Sequence, residues 1–209
     1  MSMDSYFTPA DEILENKLNI HDPAKLAEAE SRITAVRNAE ILAASPLAPL
    51  TFQYLRDIHR HLFSEIYAFA GKVRTVDVVK GDSVFCYVQF IDEEQQRIFS
   101  QLQQNFFSTP LARDAFVHHI AEHASNLNAL HPFREGNGRA IRCFLTILAQ
   151  RLGYAIHYHE VEKEALLHAD IAAFRGDITL LEGVYATILH EATDEKNPEQ
   201  PDTLIPQEG

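Results

Sequence analysis

One stretch of twelve residues brings together most of the side chains in this sequence that suit phosphate chemistry. It runs from His131 to Arg142 and reads HPFREGNGRAIR. Glycines on either side of Asn137 permit backbone angles that side chains forbid, so several N–H groups can converge at a helix N-terminus, where anions bind. Arg139 and Arg142 add planar groups suited to phosphate oxygens. The stretch therefore predicts a nucleotide polyphosphate site.

Two further side chains indicate the chemistry of this site. A carboxylate at Glu135, beside the arginines, is explained by a cation such as Mg²⁺ between it and the phosphates. Imidazole is the side chain whose ordinary pKa suits proton abstraction near neutral pH, so we expect His131 to act as a general base. The alternative is a helix-loop-helix in which Gly136 and Gly138 only cap a helix and the arginines are solvated. The joint occurrence of all these residues argues against that alternative.

The string resembles the signature of the Fic family, H-x-F-x-D/E-G-N-G-R-x-x-R, at every specified position. The resemblance implies AMPylation, in which AMP passes from ATP to a Tyr, Thr or Ser hydroxyl of a target protein and pyrophosphate leaves. It implies that His131 deprotonates the hydroxyl, that Glu135 holds Mg²⁺ on the α- and β-phosphates, and that Pro132 and Phe133 are structural. It assigns ATP phosphates to Gly136, Asn137, Gly138, Arg139 (β-phosphate side) and Arg142 (γ-phosphate).

Helices on both sides must position this stretch. Residues 113–129 carry an apolar stripe at helical spacing, and Pro132 ends that helix. A second stripe follows from Ile141 to Leu152, after which Gly153 supplies a left-handed cap. Other apolar patterns and caps predict further helices over residues 10–18, 22–44, 51–66, 92–107, 160–174 and 178–190.

Residues 73–88 interrupt the helical pattern with two β-branched runs, which predict a hairpin. An isolated hairpin is marginal in water and needs further packing or a further purpose. Its position resembles the Fic flap, which aligns the target by strand addition, although a small stabilising ribbon is the alternative. The flap residues expected to dock a target are Val78, Val79, Lys80, Gly81, Asp82, Ser83, Val84 and Phe85. The predicted fold class is therefore all-α, a Fic-type helical bundle with one β-hairpin flap over the active site.

Length and composition limit the number of domains, the kinds of partner and the state of the cysteines. A chain of 209 residues with 46% hydrophobic content suits one core. We expect an N-terminal leader and helices over residues 1–45, a catalytic core over 46–191 and an acidic, disordered tail over 192–209. The formal charge of −12 argues against nucleic acid or anionic membrane as a direct partner. Cys86 and Cys143 are expected to be reduced in a cytoplasmic protein, with secretion into a host cell left open.

Histidines elsewhere invite a zinc interpretation that the sequence supports only weakly. The segment from His119 to His123 matches H-x-x-E-H, but the glycine-arginine cluster has no part in such a site. His59 and His61 are two apart and point to different sides of a helix, which favours packing or solvation.

The resemblance leaves the transferred group, the activity and the regulation open. A Fic enzyme that transfers UMP or phosphocholine is one alternative, and a catalytically silent, peptide-binding Fic module is another. Many Fic proteins are inhibited by a helix with the pattern S/T-x-x-x-E-G/N, whose glutamate pairs with the arginine equivalent to Arg142. Only near misses occur in this chain, at Glu15 and Glu182. We therefore expect a small separate helical antitoxin to carry that pattern, and bacterial topoisomerase-type enzymes to be targets.

Overall fold

The computed structural model describes residues 13–44, 48–80 and 83–192. Its α-helices over these residues are α1 (Pro23–Ala44), α2 (Phe52–Phe63), α3 (Ile91–Phe107), α4 (Arg113–Leu130), α5 (Asn137–Arg151), α6 (Lys163–Phe174) and α7 (Thr179–Ile188). The strands are β1 (Val79–Lys80), β2 (Ser83–Val84), β3 (Tyr154–Ile156) and β4 (Leu189–Glu191). The predicted all-α class is confirmed. Residues 1–12, 45–47, 81–82 and 193–209 lie outside the described residues, and these include part of the predicted N-terminal region, the predicted flap residues Gly81 and Asp82, and nearly all of the predicted tail.

Several helix ends lie where the sequence provides caps. Asp22 Oδ1 accepts hydrogen bonds from the N–H groups of Ala24 (2.9 Å) and Lys25 (3.0 Å), which caps α1. Thr51 Oγ1 accepts from the N–H of Tyr54 at 3.3 Å and caps α2. After α5, Gly153 adopts the predicted left-handed conformation with φ of 82°. The two side-chain caps satisfy N–H groups that have no partner inside the helix.

The core is built around α5, which packs against α2 and α4. Six residues of α5 are fully buried, namely Ala140, Phe144, Leu145, Ile147, Leu148 and Ala149. The predicted stripe of α4 is buried as well, at Phe116, Ile120, Ala124 and Leu127. The two helices that flank the motif are therefore fixed by apolar packing, which holds the loop between them in place.

The hairpin is shorter than predicted. Its ladder pairs only Val79 with Val84 and Lys80 with Ser83. Directly after β2 the Phe85 N–H still bonds to the carbonyl of Val78 at 3.2 Å. The next N–H, that of Cys86, bonds instead to the carbonyl of Ala129 at the end of α4, 2.9 Å away. The hairpin is thus attached to the helix that ends at the motif.

One helix prediction near the N-terminus is wrong, and the last predicted helix is two residues too long. Residues 13–18 are not helical, since the Lys17 N–H bonds to the carbonyl of Ile66 and the Asn16 side chain bonds to the backbone at Ile20. The last helix ends at Ile188, and residues 189–191 form β4. This strand pairs with β3, with Ala155 opposite His190. Both departures involve backbone pairing between distant segments, which periodicity does not reveal.

Two further observations concern the cysteines and the apolar character of the helices. Cys86 and Cys143 are both free thiols. None of the described helices has the length and apolar character that a membrane span requires.

Candidate active site

His131 caps the C-terminus of α4 in an uncommon backbone conformation. Its φ of 44° lies in the left-handed region, and its N–H donates to the carbonyl of Leu127 at 3.1 Å. The imidazole stacks on the ring of Phe85, with 3.7 Å between ring centroids. The side chain is therefore held between the end of α4 and the hairpin.

The hydrogen bonds of His131 define its tautomer. Nδ1 lies 3.2 Å from the carbonyl of Asn128, which accepts only from a protonated Nδ1. Nε2 is buried and has no hydrogen-bond partner among the described residues. Burial, and then the positive charge of Lys80, lower the pKa of His131 to about 4. The ring is neutral at pH 7, and Nε2 carries a lone pair that is available for a proton.

The loop after His131 is held by the side chain of Asn137. Its Oδ1 accepts from the Phe133 N–H at 2.9 Å and its Nδ2 donates to the Phe133 carbonyl at 2.7 Å. Both polar ends of this buried amide are used inside the loop. Any contact of Asn137 with phosphate is therefore left to its backbone N–H group.

His59 of α2 supports the same loop from the other side. Its Nδ1 accepts from the Gly71 N–H at 2.8 Å, so Nε2 is protonated and donates to the carbonyl of Glu135 at 2.9 Å. Its ring stacks on the fully buried Phe133, with centroids 3.9 Å apart. Burial lowers the pKa of His59 to about 4, which keeps the ring neutral. Of the two predicted roles, packing or solvation, His59 has the first, and its packing supports the motif.

Gly136 begins α5 in a conformation that requires glycine. Its φ is 80°, and a Cβ at this position would lie 2.4 Å from the ring of Phe63. The close approach turns the chain into α5, whose first N–H groups have no intrahelical partners. The N-terminus of α5 therefore has the geometry of an anion site.

Glu135 lies directly before this N-terminus as a carboxylate. Burial raises its pKa, but the Gly136 N–H bonded to Oε1 at 3.0 Å and the positive charges of Lys80 and Arg139 outweigh that effect and hold the pKa below its ordinary value. Oε2 lies 3.7 Å from Lys80 Nζ. One oxygen is bound to the loop, and the other faces the flap residue Lys80.

Arg139 is held by a buried carboxylate of α1. Its guanidinium donates to Glu30 Oε2 at 2.7 Å and lies 4.8 Å from the ring centre of Phe63. Glu30 also accepts a hydrogen bond from Tyr67. Burial and the Glu30 carboxylate raise the pKa of Tyr67, so its hydroxyl remains a donor. These contacts fix the side chain of Arg139 before any ligand binds.

Arg142 lies one turn further along α5 and faces the cleft between α1 and α5. This cleft has a volume of about 650 Å³, and Glu30, Arg139, Tyr158 and Lys163 also line it. A smaller cavity joins Arg142 to Asp170, Asn128 and Gly138. Burial raises the pKa of Asp170 to about 6, although the positive charge of Arg142 opposes the change. Both motif arginines therefore reach one polar cleft of nucleotide size.

The predicted flap residues divide into two groups. Val78 and Phe85 are buried and anchor the hairpin, whereas Val79 and Val84 are exposed. Lys80 extends toward Glu135. The hairpin thus presents an exposed ladder beside the motif.

Comparisons with known proteins agree with this geometry. Residues 49–149 match the Fic/DOC family. The chain is 35% identical over 191 residues to the probable protein adenylyltransferase Fic of Escherichia coli K12, covering 90% of this chain and 94% of that protein. It is 34% identical over 192 residues to the protein adenylyltransferase VbhT of Bartonella schoenbuchensis, covering 92% of this chain and 40% of VbhT. The chain belongs to the Fic/DOC family.

Solved structures of Fic domains share its fold. The effector BepC of Bartonella tribocorum, determined with bound AMPPNP, is 25% identical with a TM-score of 0.82, covering 89% of this chain and 96% of that chain. The N-terminal Fic domain of a VirB-translocated effector from Bartonella quintana, determined with bound ADP, is 28% identical with a TM-score of 0.82, covering 89% of this chain and 94% of that chain. Together with the identity to the two adenylyltransferases above, this likeness shows that the present chain is an enzyme of the Fic adenylyltransferase type, a nucleotidyltransferase.

Some residues that support the Fic motif were not predicted from the sequence. Glu30 had a signal, because a charged residue on the buried stripe of α1, four positions after Leu26, calls for a partner. Arg74 had none. It is fully buried, and its Nε donates to the carbonyl of His131 at 2.7 Å while other guanidinium atoms bond to the hairpin, including the carbonyl of Cys86. Arg74 therefore links the flap to the motif.

The H-x-x-E-H segment does not converge as a zinc-peptidase motif would. His123 is buried beside Phe106, and its Nε2 lies 3.4 Å from Asn105. The residues of this region that approach one another are His118, His119 and Glu122. His118, which precedes His119 in the sequence, thus takes the place beside His119 and Glu122 that the motif assigns to His123.

Proposed function

We propose that this Fic enzyme transfers AMP from ATP to a Tyr, Thr or Ser hydroxyl of a target protein. The hydroxyl oxygen attacks the α-phosphorus, the hydroxyl proton passes to Nε2 of His131, and the bond to the pyrophosphate oxygen breaks. The observation that carries the proposal is the buried Nε2 of a neutral His131, which no described residue hydrogen-bonds, beside the N-terminus of α5. A lone pair held in this way accepts a proton without first losing one.

The phosphates of ATP are proposed to bind at the N-terminus of α5. The first N–H groups of a helix attract negative charge, and the guanidinium groups of Arg139 and Arg142 face the adjoining cleft. The bound AMPPNP and ADP of the two Bartonella relatives support an adenine nucleotide as the ligand.

Glu135 suits a magnesium ion by its chemistry. Magnesium prefers oxygen ligands and is usually held by one or two carboxylates together with substrate phosphates. The low pKa of Glu135 keeps this carboxylate charged. Its Oε2 lies 3.7 Å from Lys80 Nζ, a longer distance than the 3.0 Å between Oε1 and the Gly136 nitrogen. When bound, magnesium would neutralise charge that develops on the departing pyrophosphate.

The hairpin is the proposed docking site for the target protein. Val79 and Val84 are exposed on a two-stranded ladder, and the next residue, Phe85, stacks on His131. A cleft of about 420 Å³ continues from β2 past Tyr87 and Phe90, whose aromatic side chains are exposed. An extended target segment would pair with the hairpin backbone and bring its hydroxyl to His131.

Control by a separate helical antitoxin is proposed for the cleft beside Arg142. Glu15 is exposed in a groove lined by Lys17, Phe69 and Lys72, and no ion pair joins it to Arg142 among the described residues. Glu182 bonds instead to His118 at 2.6 Å. These contacts support the view that an inhibitory glutamate comes from another chain.

The decisive experiment compares the parent protein with His131→Ala, using α-labelled ATP and a bacterial lysate. Transfer should fall about 10²–10⁴-fold in the variant, because a general base contributes that factor. Nucleotide affinity measured by calorimetry should be retained, since the phosphates contact other residues. The matched control is His168→Ala, an exposed histidine of α6. Full transfer by His131→Ala would refute the assigned chemistry.

The same assay separates the alternative functions. Parallel reactions with labelled UTP and labelled CDP-choline test transfer of UMP and phosphocholine, and mass spectrometry of the labelled protein identifies the target and the side chain. A parent protein that labels nothing, alone or in lysate, would favour a silent peptide-binding module. Strong labelling that Glu15→Gly leaves unchanged supports an external inhibitor, whereas a quiet parent activated by Glu15→Gly would contradict it.

A further inference from the structure

Three histidines and a glutamate form a cluster that takes no part in the site described above. The histidine cluster consists of His157, His159, Glu160 and His190. His157 directly precedes the short 3-10 turn after β3, His159 and Glu160 lie on that turn, and His190 lies on β4. The two segments are held together by backbone pairing, since Ala155 is opposite His190 and the His157 N–H bonds to the carbonyl of Ile188 at 2.8 Å. The fold therefore brings together Glu160 and His190, which are 30 positions apart in the sequence.

The nitrogen and oxygen atoms of this cluster lie close to one another. Glu160 Oε1 lies 3.0 Å from His157 Nδ1, and its Oε2 lies 2.7 Å from His190 Nε2. One ligand atom from each of His157, His159 and Glu160 lies within 4.8 Å of the others. Two ligands of one tetrahedral zinc ion are about 3.3 Å apart, given bond lengths of about 2.0–2.1 Å. His190 lies outside this group of three and reaches it through Glu160 Oε2, so a fourth ligand requires side-chain rotation of His190 toward the other three residues.

We propose that the histidine cluster binds a divalent transition-metal ion of the zinc class. Three imidazole nitrogens and one carboxylate oxygen form a ligand set that suits Zn²⁺ and disfavours Mg²⁺ or Ca²⁺, which prefer oxygen alone. The side chains of His157, Glu160 and His190 are 34–43% exposed, so an ion reaches them from solvent. On binding, the metal replaces the imidazole protons that bond to Glu160.

A second group of residues provides an internal comparison. His118, His119 and Glu122 on α4 also approach within 4.8 Å of one another. That group offers two imidazoles, and its fourth neighbour is a carboxylate, because His118 bonds to Glu182 of α7 at 2.6 Å. The histidine cluster offers three imidazoles and one carboxylate, and imidazole nitrogen is the ligand that distinguishes zinc from magnesium and calcium.

The position of the cluster has a structural consequence. Tyr158 lies between His157 and His159, and its hydroxyl is 3.2 Å from that of Tyr185 on α7. Tyr158 also lines the cleft that contains Arg142. A bound metal would therefore join β4 to the turn that forms one wall of this cleft, and would stabilise the folded chain by mass action.

The test is a zinc titration of the 209-residue chain, without a tag, after removal of metals by chelation and dialysis. Calorimetry should give one saturable site in the parent, and zinc should raise the midpoint of thermal unfolding. His190→Ala and His157→Gln should each weaken zinc binding by about 10–100-fold or more, since even outer-shell changes cost that much. His118→Ala is the matched control and should bind zinc like the parent. Circular dichroism establishes that each variant is folded.

Cobalt provides a second readout at the same site. Cobalt substitution should give the visible absorption bands of a four-coordinate nitrogen and oxygen site in the parent and lose them in His190→Ala. The proposal is overturned if the parent shows no saturable binding, or if either cluster variant binds zinc as tightly as the parent. It is also overturned if His118→Ala abolishes binding, because the metal would then lie on α4.

Discussion

His131 and Glu135 are four residues apart, yet their environments affect protonation differently. Burial dominates at His131 and removes its charge, whereas the N–H and cations around Glu135 overcome burial and preserve its charge. A neutral base beside a charged carboxylate is the combination that proton abstraction from a hydroxyl and binding of a metal-nucleotide require. The two roles proposed for these residues therefore depend on contacts from other parts of the chain.

Glu30 should be a position of α1 that is sensitive to substitution. Glu30→Ala would leave both Arg139 and the Tyr67 hydroxyl without their buried acceptor, so the free energy of unfolding should fall by about 2–4 kcal/mol. Urea unfolding measures this change. Glu28→Ala on the same helix is the control, because its exposed pair with Arg32 should contribute within about 0.5 kcal/mol. Equal losses in the two variants would contradict the role of Glu30.

At the scale of elements, the start of α5 depends on the glycine at its N-cap. Gly136→Ala should lower the free energy of unfolding by left-handed strain of about 1–2 kcal/mol and by a further 1–3 kcal/mol, roughly, from contact with Phe63. Gly153→Ala isolates the first cost, since Gly153 has a similar φ of 82° and a Cβ added there would meet nothing within 4 Å. Thermal unfolding of both variants checks the difference. A smaller loss at Gly136 than at Gly153 would exclude steric contact as the reason for glycine there.

The hairpin provides a second test at this scale. Val84→Pro removes one backbone N–H from an exposed two-residue strand, so transfer to a protein target should fall roughly tenfold while ATP affinity is retained. Val84→Thr is the control, because it keeps the N–H and a similar shape. Labelling of a lysate and calorimetric nucleotide binding are measured on the same preparations. Parallel losses of transfer and binding would indicate misfolding of the hairpin and its neighbours.

At the scale of the whole molecule, buried histidines should make the fold sensitive to acid. Burial lowers the pKa of His59, His123 and His131 to about 4, from an ordinary value of 6.5. The unfolded chain therefore binds more protons between about pH 6.5 and pH 4, and stability falls as the pH is lowered through this window. Each histidine should contribute a loss of about 2 kcal/mol between pH 7 and pH 5. Asp170, whose raised pKa of about 6 acts in the opposite direction, reduces the net loss.

Urea unfolding at pH 7 and pH 5 tests this prediction. His123→Gln removes one of the three groups without touching the motif, so the difference in free energy of unfolding between the two pH values should shrink by about 2 kcal/mol. If the difference in free energy of unfolding between pH 7 and pH 5 is the same in the variant and the parent, protonation of His123 does not contribute to the acid sensitivity.

The sequence by itself determined the features that depend on neighbouring residues. The caps at Asp22 and Thr51, the apolar stripes of α4 and α5, and the left-handed Gly153 follow from spacing and side-chain type over a few positions. The length and specificity of the motif made the family evident for the same reason, since its polar groups lie on one turn and the start of the helix that follows it.

Only the tertiary structure decided how those groups are held and charged. Arg139 finds Glu30 across 109 positions, His59 reaches Glu135 across 76, and Arg74 reaches His131 across 57. Periodicity carries no information about such pairs, because it reports which face of an element is buried and not which element covers it. The lowered pKa of His131 depends on the low dielectric of its buried site, and the contact of His190 with His157 depends on the pairing of β3 with β4. Both conditions exist only once distant segments have packed together.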